Sequence, residues 1–102
     1  MNGFQKKFLR GLAHKEVPVV MIGQKGVTNA LIKAIDDELG RRELVKIRFS
    51  GIGERDRKRL MAAAIEEKTS STLAGLIGHT AILYREQRDP QKRRIILPTR
   101  EA

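Results

Sequence analysis

The sequence predicts an α/β domain of the two-layer α+β kind, with the order α-β-α-β-α-β-β around a four-stranded mixed sheet. Three observations predict it. Apolar residues recur at helical spacing in three segments, short β-branched runs lie between these segments, and two further strand-like runs flank a Gly-His pair. At 102 residues the chain has room for one core and not for two independent domains. The domain is accordingly placed at residues 1–98, with a short C-terminal tail over 99–102.

Phe4, Phe8 and Leu12, with Leu9 and Ala13 beside them, set a helical period over residues 4–14, while Lys6, Lys7 and Arg10 fall largely on another face. Aromatics make up only 4% of the chain, so the core is expected to form from Leu, Ile, Val and Ala around Phe4, Phe8, Phe49 and Tyr84. Val17 to Ile22 reads as a buried first strand ending at Gly23, with Pro18 tolerable near its start. Thr28 is the expected N-cap of a second helix over 28–39, with Val27, Leu31, Ala34, Ile35 and Leu39 as its apolar stripe and Gly40 as its stop.

From Leu44 to Phe49, alternation sends Val45, Ile47 and Phe49 to one face and Lys46 and Arg48 to the other, as in a half-exposed strand with a basic side. Gly51-Ile52-Gly53 breaks that pattern. Glu54 to Lys68 resumes a helical period, with Leu60, Met61, Ala64 and Ile65 inward and Arg55, Arg57, Lys58 and Arg59 mostly outward. Thr72 to Ile77 and Thr80 to Tyr84 flank Gly78-His79, the spacing of a tight hairpin with a positive φ at the glycine. Residues 85–94 are dominated by charge, and Ile95-Ile96-Leu97-Pro98 either adds an edge strand or packs down.

Composition narrows the function classes. Lys and Arg number 21 against 12 Asp and Glu, a net charge of +9, which implies a polyanionic partner or an anionic surface. Cysteine is absent and there are 2 His, so neither a disulfide framework nor a His-Cys metal cluster can be assembled. Nothing approaches the roughly 20 apolar residues of a membrane span. The apolar stretch after Lys6 and Lys7 is interrupted by Arg10, His14, Lys15 and Glu16, which argues against a secretory signal. A cytoplasmic protein with no membrane partner is the expectation.

The strongest local feature is a strand, then Gly23-Gln24-Lys25-Gly26, then a helix beginning near Thr28. Such a turn lets backbone approach a ligand closely, its amides and the helix N-terminus favour an anion, and Lys25 adds a mobile charge. Phosphate is the natural anion, although two glycines at this spacing often make nothing more than a turn. Residues 1–33 carry six Lys or Arg against one acid, net +5; residues 34–68 carry net +1 and residues 69–102 net +3. Lys6, Lys7, Arg10, Lys15 and Lys25 could therefore form a phosphate track. The loop lacks the spacing of a nucleotide P-loop and the third glycine of a dinucleotide fingerprint.

Other constellations carry less. His14 is either a ligand contact or a helix-end histidine near the last carbonyls, and His79 is a turn residue. Asp36-Asp37-Glu38 point around a helix instead of converging on a metal. Arg57-Lys58-Arg59 are expected to pair locally with Glu54 and Asp56, whereas Lys92-Arg93-Arg94 are less compensated. No nucleophile-and-base arrangement stands out, so the expected protein is not an enzyme and has no catalytic residue, cofactor or metal.

The stretch Gln5 to His14 (QKKFLRGLAH), Pro18-Val19-Val20 and Ile22 to Thr28 (IGQKGVT) together closely resemble the stand-alone bacterial CRM domain, the YhbY-like RNA-binding proteins. Glu43 to Ile47, Gly75 to Thr80, Leu83-Tyr84-Arg85 and Ile96-Leu97-Pro98 extend the resemblance over nearly the whole chain. The resemblance implies a fold similar to the C-terminal domain of bacterial translation initiation factor three. It also implies RNA binding through the GxxG loop and the adjoining basic surface, and a role on precursors of the large ribosomal subunit. In plants, related domains occur in organellar intron-splicing factors. A GxxG loop is also found in KH domains, but there it joins two helices, whereas here a strand precedes it.

The leading expectation is a ribosome-assembly factor that binds ribosomal RNA through Lys6, Lys7, Arg10, His14, Lys15, Gly23, Gln24, Lys25 and Gly26, with a monomer favoured. Because the aromatics are assigned to the core, backbone-led binding with little base specificity is expected. The alternatives are a general nucleic-acid-binding module, including a DNA-associated one, and an adaptor whose basic face docks an acidic protein. The pattern leaves open whether Lys46, Arg48, Arg57, Lys58, Arg59, Lys92, Arg93 and Arg94 contact RNA. It also leaves open which RNA element and which assembly step are involved.

Overall fold

The computed structural model describes residues 1–99; residues 100–102 of the expected tail lie outside the described residues. The elements are α1 (Gly3–Ala13), β1 (Val20–Ile22), α2 (Asn29–Arg42), β2 (Leu44–Phe49), α3 (Arg55–Thr69), β3 (Thr72–Ile77) and β4 (Thr80–Tyr84), followed by a short 3-10 turn at Pro90–Lys92. The strands form one sheet in the order β1-β2-β4-β3, with β1 parallel to β2 and the remaining pairs antiparallel. The expected order of elements and the mixed four-stranded sheet are both present.

Local chemistry sets the helix ends. Asn2 caps α1 in a reciprocal box, its Oδ1 accepting from Gln5 N at 2.9 Å while Asn2 N donates to Gln5 Oε1 at 3.2 Å. Thr28 caps α2 as expected, its Oγ1 accepting from Leu31 N at 3.1 Å. Gly40 does not stop α2. The helix continues to Arg42, and the chain reverses at Glu43, whose φ is 64°. The β3–β4 turn is the expected Gly78-His79 pair, with φ of 57° at Gly78.

Helices cover both faces of the sheet, so the expected two layers gain a partial third. Ile35 and Leu39 of α2 and Met61, Ala62 and Ile65 of α3 pack with Ile22, Val45, Ile47, Phe49, Ala81 and Leu83 on one face. On the other, Leu9 and Ala13 of α1 meet Leu44, Ala74, Ile82 and Tyr84. Phe4 and Phe8 do not enter the core: each is 37% exposed, on a flank of α1 beside Pro98. Leu9 and Ala13 hold the inward positions, about 100° per residue away from that flank.

Two further assignments change. β1 is a three-residue edge strand instead of a buried strand from Val17, and only Ile22 of it is buried. It pairs on one side alone, and Pro18 has no N–H to offer. In α3 the inward stripe runs through Lys58, Met61, Ala62, Ile65 and Thr69, leaving Leu60 72% exposed. Ala64 sits partly buried at the margin.

The C-terminal segment packs down and adds no strand, Ile95 and Leu97 resting on the α1-side core. Glu43 fastens it. Its buried carboxylate accepts from Gln87 N at 2.9 Å, Arg94 N at 2.8 Å and Ile95 N at 3.1 Å. The edge strand β3 is held by side chains from two helices. Glu66 accepts from Leu73 N, Arg10 Nη1 donates to Ala74 O at 2.9 Å, and Arg55 Nη2 donates to Leu76 O at 3.4 Å.

Candidate nucleic-acid interface

The Gly23–Gly26 loop is a closed turn, with Gly26 N donating to Gly23 O at 3.0 Å. Gly26 has φ of 77°, which a side chain would strain; a Cβ there would meet Met61 Cε only at an ordinary 3.5 Å, so the demand for glycine is conformational. A second loop supports the first: Gln24 Nε2 donates to Gly51 O at 3.3 Å and Ser50 N to Ile22 O at 2.8 Å. Gln24 is thus a brace as well as a loop residue. Lys25 is exposed and makes no side-chain hydrogen bond or ion pair among the described residues.

Topology gathers three connections at one end of the molecule. β1 and β2 run parallel, so the loops leaving both emerge together and lead to the N-termini of α2 and α3. The β3–β4 turn lies at the same end, where Phe49 N donates to His79 O at 2.8 Å. Beneath it, Lys58 is 5% exposed and donates from Nζ to Gly78 O at 2.9 Å, with His79 Nδ1 at 3.3 Å. Lys58 is therefore a structural brace and not an outward cation. The local pairing expected for it and its neighbours is absent among the described residues, where no ion pair involves Glu54 or Asp56.

The structure divides the predicted residues of α1 between two flanks. Arg10 and His14 share a small cleft with Lys46, Ile77, Thr80 and Ile82, on the flank toward the β3–β4 hairpin. Lys15 lies on the opposite flank, beside Phe8, Leu12, Arg41 and Arg42. Lys7 is exposed and Lys6 half-buried. Neither side chain is bonded among the described residues. Arg10 is partly committed: one nitrogen holds Ala74 O, and its stem packs so closely on β3 that a Cβ on Gly75 would lie 2.5 Å from Arg10 Cδ. Its remaining guanidinium donors are still available. His14 is the exposed C-cap residue of α1, and its ring makes no hydrogen bond among the described residues.

The two basic residues of β2 have different fates. Lys46 folds back, its Nζ 3.3 Å from both Ala13 O and Glu16 O, and so satisfies carbonyls at the C-terminus of α1. Arg48 is exposed, with no side-chain bond among the described residues. Alternation alone placed both on one face; only the packing of α1 separates them. Arg93 pairs with Glu86 at 3.1 Å, which sets it apart from Lys92 and Arg94, whose side chains are unpaired among the described residues. The acidic run of α2 is neutralised by Lys33, Arg41, Arg42 and Arg85. Among the described residues no helix is long and apolar enough to cross a membrane.

The family described as the CRS1 / YhbY (CRM) domain matches residues 1–85. An "RNA-binding protein" of Haemophilus influenzae is 41% identical over 81 residues, which are 79% of this chain and 81% of that protein. The "Probable RNA-binding protein YqeI" of Bacillus subtilis is 37% identical over 89 residues, 87% of this chain and 92% of that one. A solution structure from Staphylococcus aureus, of the hypothetical protein SAV1595, "a putative RNA binding protein", superposes with a TM-score of 0.81 at 37% identity. That match covers 96% of this chain and 99% of the other.

Proposed function

As this chain belongs to the CRS1 / YhbY (CRM) domain family, we propose that it is a non-enzymatic RNA-binding protein that grips the phosphate backbone at the loop end of its sheet. Lys25 with the Gly23–Gly26 loop forms one part of the grip, and Lys6, Lys7, Arg10 and His14 on α1 form the other. The observation that carries this reading is the meeting of a positive-φ glycine loop, the N-terminus of α2 and Lys25, whose side chain is unbonded among the described residues, in a chain of net charge +9. Lys15 lies on the Phe8 side of α1, away from the cleft of Arg10 and His14.

The proposed target is ribosomal RNA in precursors of the large subunit, bound by a cytoplasmic monomer during assembly. Titration of large-subunit RNA fragments at several salt concentrations tests the grip: affinity falls steeply with salt, and Lys25→Glu weakens binding. Salt-insensitive binding would overturn it. Equal competition by duplex DNA would favour a general nucleic-acid module. If Lys25→Glu leaves RNA binding intact but abolishes a protein complex, the basic face serves an adaptor. Crosslinking in cells followed by sequencing of the attached RNA tests the target, and reads scattered over messenger RNA would count against it.

A further inference from the structure

Residues paired across a sheet carry their side chains on the same face, and the register aligns Met21 with Arg48 and Arg48 with Thr80, which in turn pairs with Ile77. These four form a row across all four strands, spanning about 14 Å at the usual interstrand spacing. The neighbouring row, through Lys46 and Ile82, lies under the C-terminal turns of α1; in this one Ile77 and the half-buried Thr80 border the cleft of Arg10 and His14, and Arg48 and Met21 are exposed beyond it. Met21 is 60% exposed and Ile77 57% exposed, both on strands, while Arg48 is exposed between Met21 and Thr80 with its guanidinium unbonded among the described residues.

A wet, flat strip of two apolar side chains, a hydroxyl and a planar cation is costly to leave bare, and it is poorly shaped for phosphate alone. A phosphate site would not need Met21 or Ile77. A nucleobase would use all four: its face stacks on guanidinium and aliphatic carbon, and its polar edge can meet the Thr80 hydroxyl. The strip is also continuous with the proposed grip, because Ile22 leads from Met21 into the Gly23–Gly26 loop, and Thr80 and Ile77 line the cleft of Arg10 and His14.

We propose that the row Met21–Arg48–Thr80–Ile77 is a stacking site for an unpaired base of the RNA, so that the preferred ligand is a helix carrying a bulged or loop nucleotide. This inference rests on the RNA-binding reading above. It adds one base contact to the expected backbone-led binding with little base specificity, an expectation that assigned the aromatics to the core.

The test compares two RNAs, an uninterrupted duplex and the same helix carrying one bulged 2-aminopurine, by titration and by the fluorescence of that base. The protein is expected to bind the bulged helix about tenfold tighter than the duplex and to quench its fluorescence. Arg48→Lys keeps the charge but loses the planar surface, and should remove most of the preference and the quenching while leaving duplex affinity within about twofold. Ile77→Ser should act in the same direction. Lys25→Glu should weaken both RNAs alike. Equal binding of the two RNAs without quenching would overturn the base site while leaving the backbone grip standing, and would leave the strip to a protein partner. Loss of preference in none of the variants would also overturn it. Failure to bind either RNA would overturn both readings together.

Discussion

The Glu43 carboxylate accepts the backbone N–H of Arg94 at 2.8 Å, joining the end of α2 to a segment 51 residues further along the chain. Burial by itself would raise the pKa of Glu43. The amides of Gln87, Arg94 and Ile95, with the charge of Arg93, outweigh that and hold it below the usual carboxylate range. A lowered folded-state value means that the ionised group stabilises the fold above the unfolded glutamate pKa of about 4.3, and that this contribution is lost as pH falls through the lower folded value. Glu43→Gln is expected to cost about 1–3 kcal/mol at neutral pH and to flatten the acid limb of the stability profile. Urea unfolding at pH 7 and at pH 3 measures both; equal losses for the variant at the two pH values would count against the assignment.

Lys58 is expected to behave as a core residue despite its charge. Lys58→Ala removes the donor to Gly78 O together with the packing of the buried lysine stem, so a loss of about 1–3 kcal/mol is expected. Amide exchange should quicken at His79 and Thr80 ahead of the rest of the sheet. RNA affinity should fall no more than the stability loss explains. Leu60→Ser, by contrast, lies on the exposed side of the same helix and should stay within about 0.5 kcal/mol of the parent.

Gly75 and Arg10 form a coupled pair. Gly75→Ala brings a Cβ to 2.5 Å of Arg10 Cδ, which forces the arginine stem off β3 and threatens its bond to Ala74 O. Arg10→Ala removes that obstacle. The double variant is therefore expected to be more stable than the sum of the single losses allows, by about 0.5–1 kcal/mol, in a denaturation cycle.

The division of α1 into two flanks gives a contrast within the proposed RNA surface. Lys25→Ala should lower the slope of log affinity against log salt by about one phosphate contact, whereas Lys15→Ala, on the Phe8 side, should leave it nearly unchanged. Equal slope changes would show that the bound RNA wraps both flanks.

Much of the fold was legible because its signals are local. Thr28 as a cap, the Gly78-His79 turn and the alternation of Val45, Ile47 and Phe49 need only neighbouring residues, and all three are where they were expected. What escaped depends on contacts between distant segments. Gly40 looked like a stop, yet the reversal falls at Glu43 because amides from residues 87, 94 and 95 reward it there. Lys58 looked solvated, since nothing nearby in sequence announces the carbonyl of Gly78. Leu60 and Phe8 looked buried because hydrophobicity was read without knowing where each helix sits on the sheet. The glycine loop of the candidate site was visible from the start; the row containing Arg48 was not, because it takes four strands in register to make it.

The side-chain bonds on β3 have a bearing on concentrated solutions. A strand at the margin of a sheet ordinarily offers its amides and carbonyls to any extended chain that drifts past, and so seeds polymers. Here Glu66, Arg10 and Arg55 already occupy Leu73 N, Ala74 O and Leu76 O, and the ladder is irregular between Leu73 and Gly75. The opposite margin, β1, is three residues long and preceded by Pro18. A small open sheet is thereby kept from zipping onto copies of itself, by the same arginine whose spare donors face the proposed ligand.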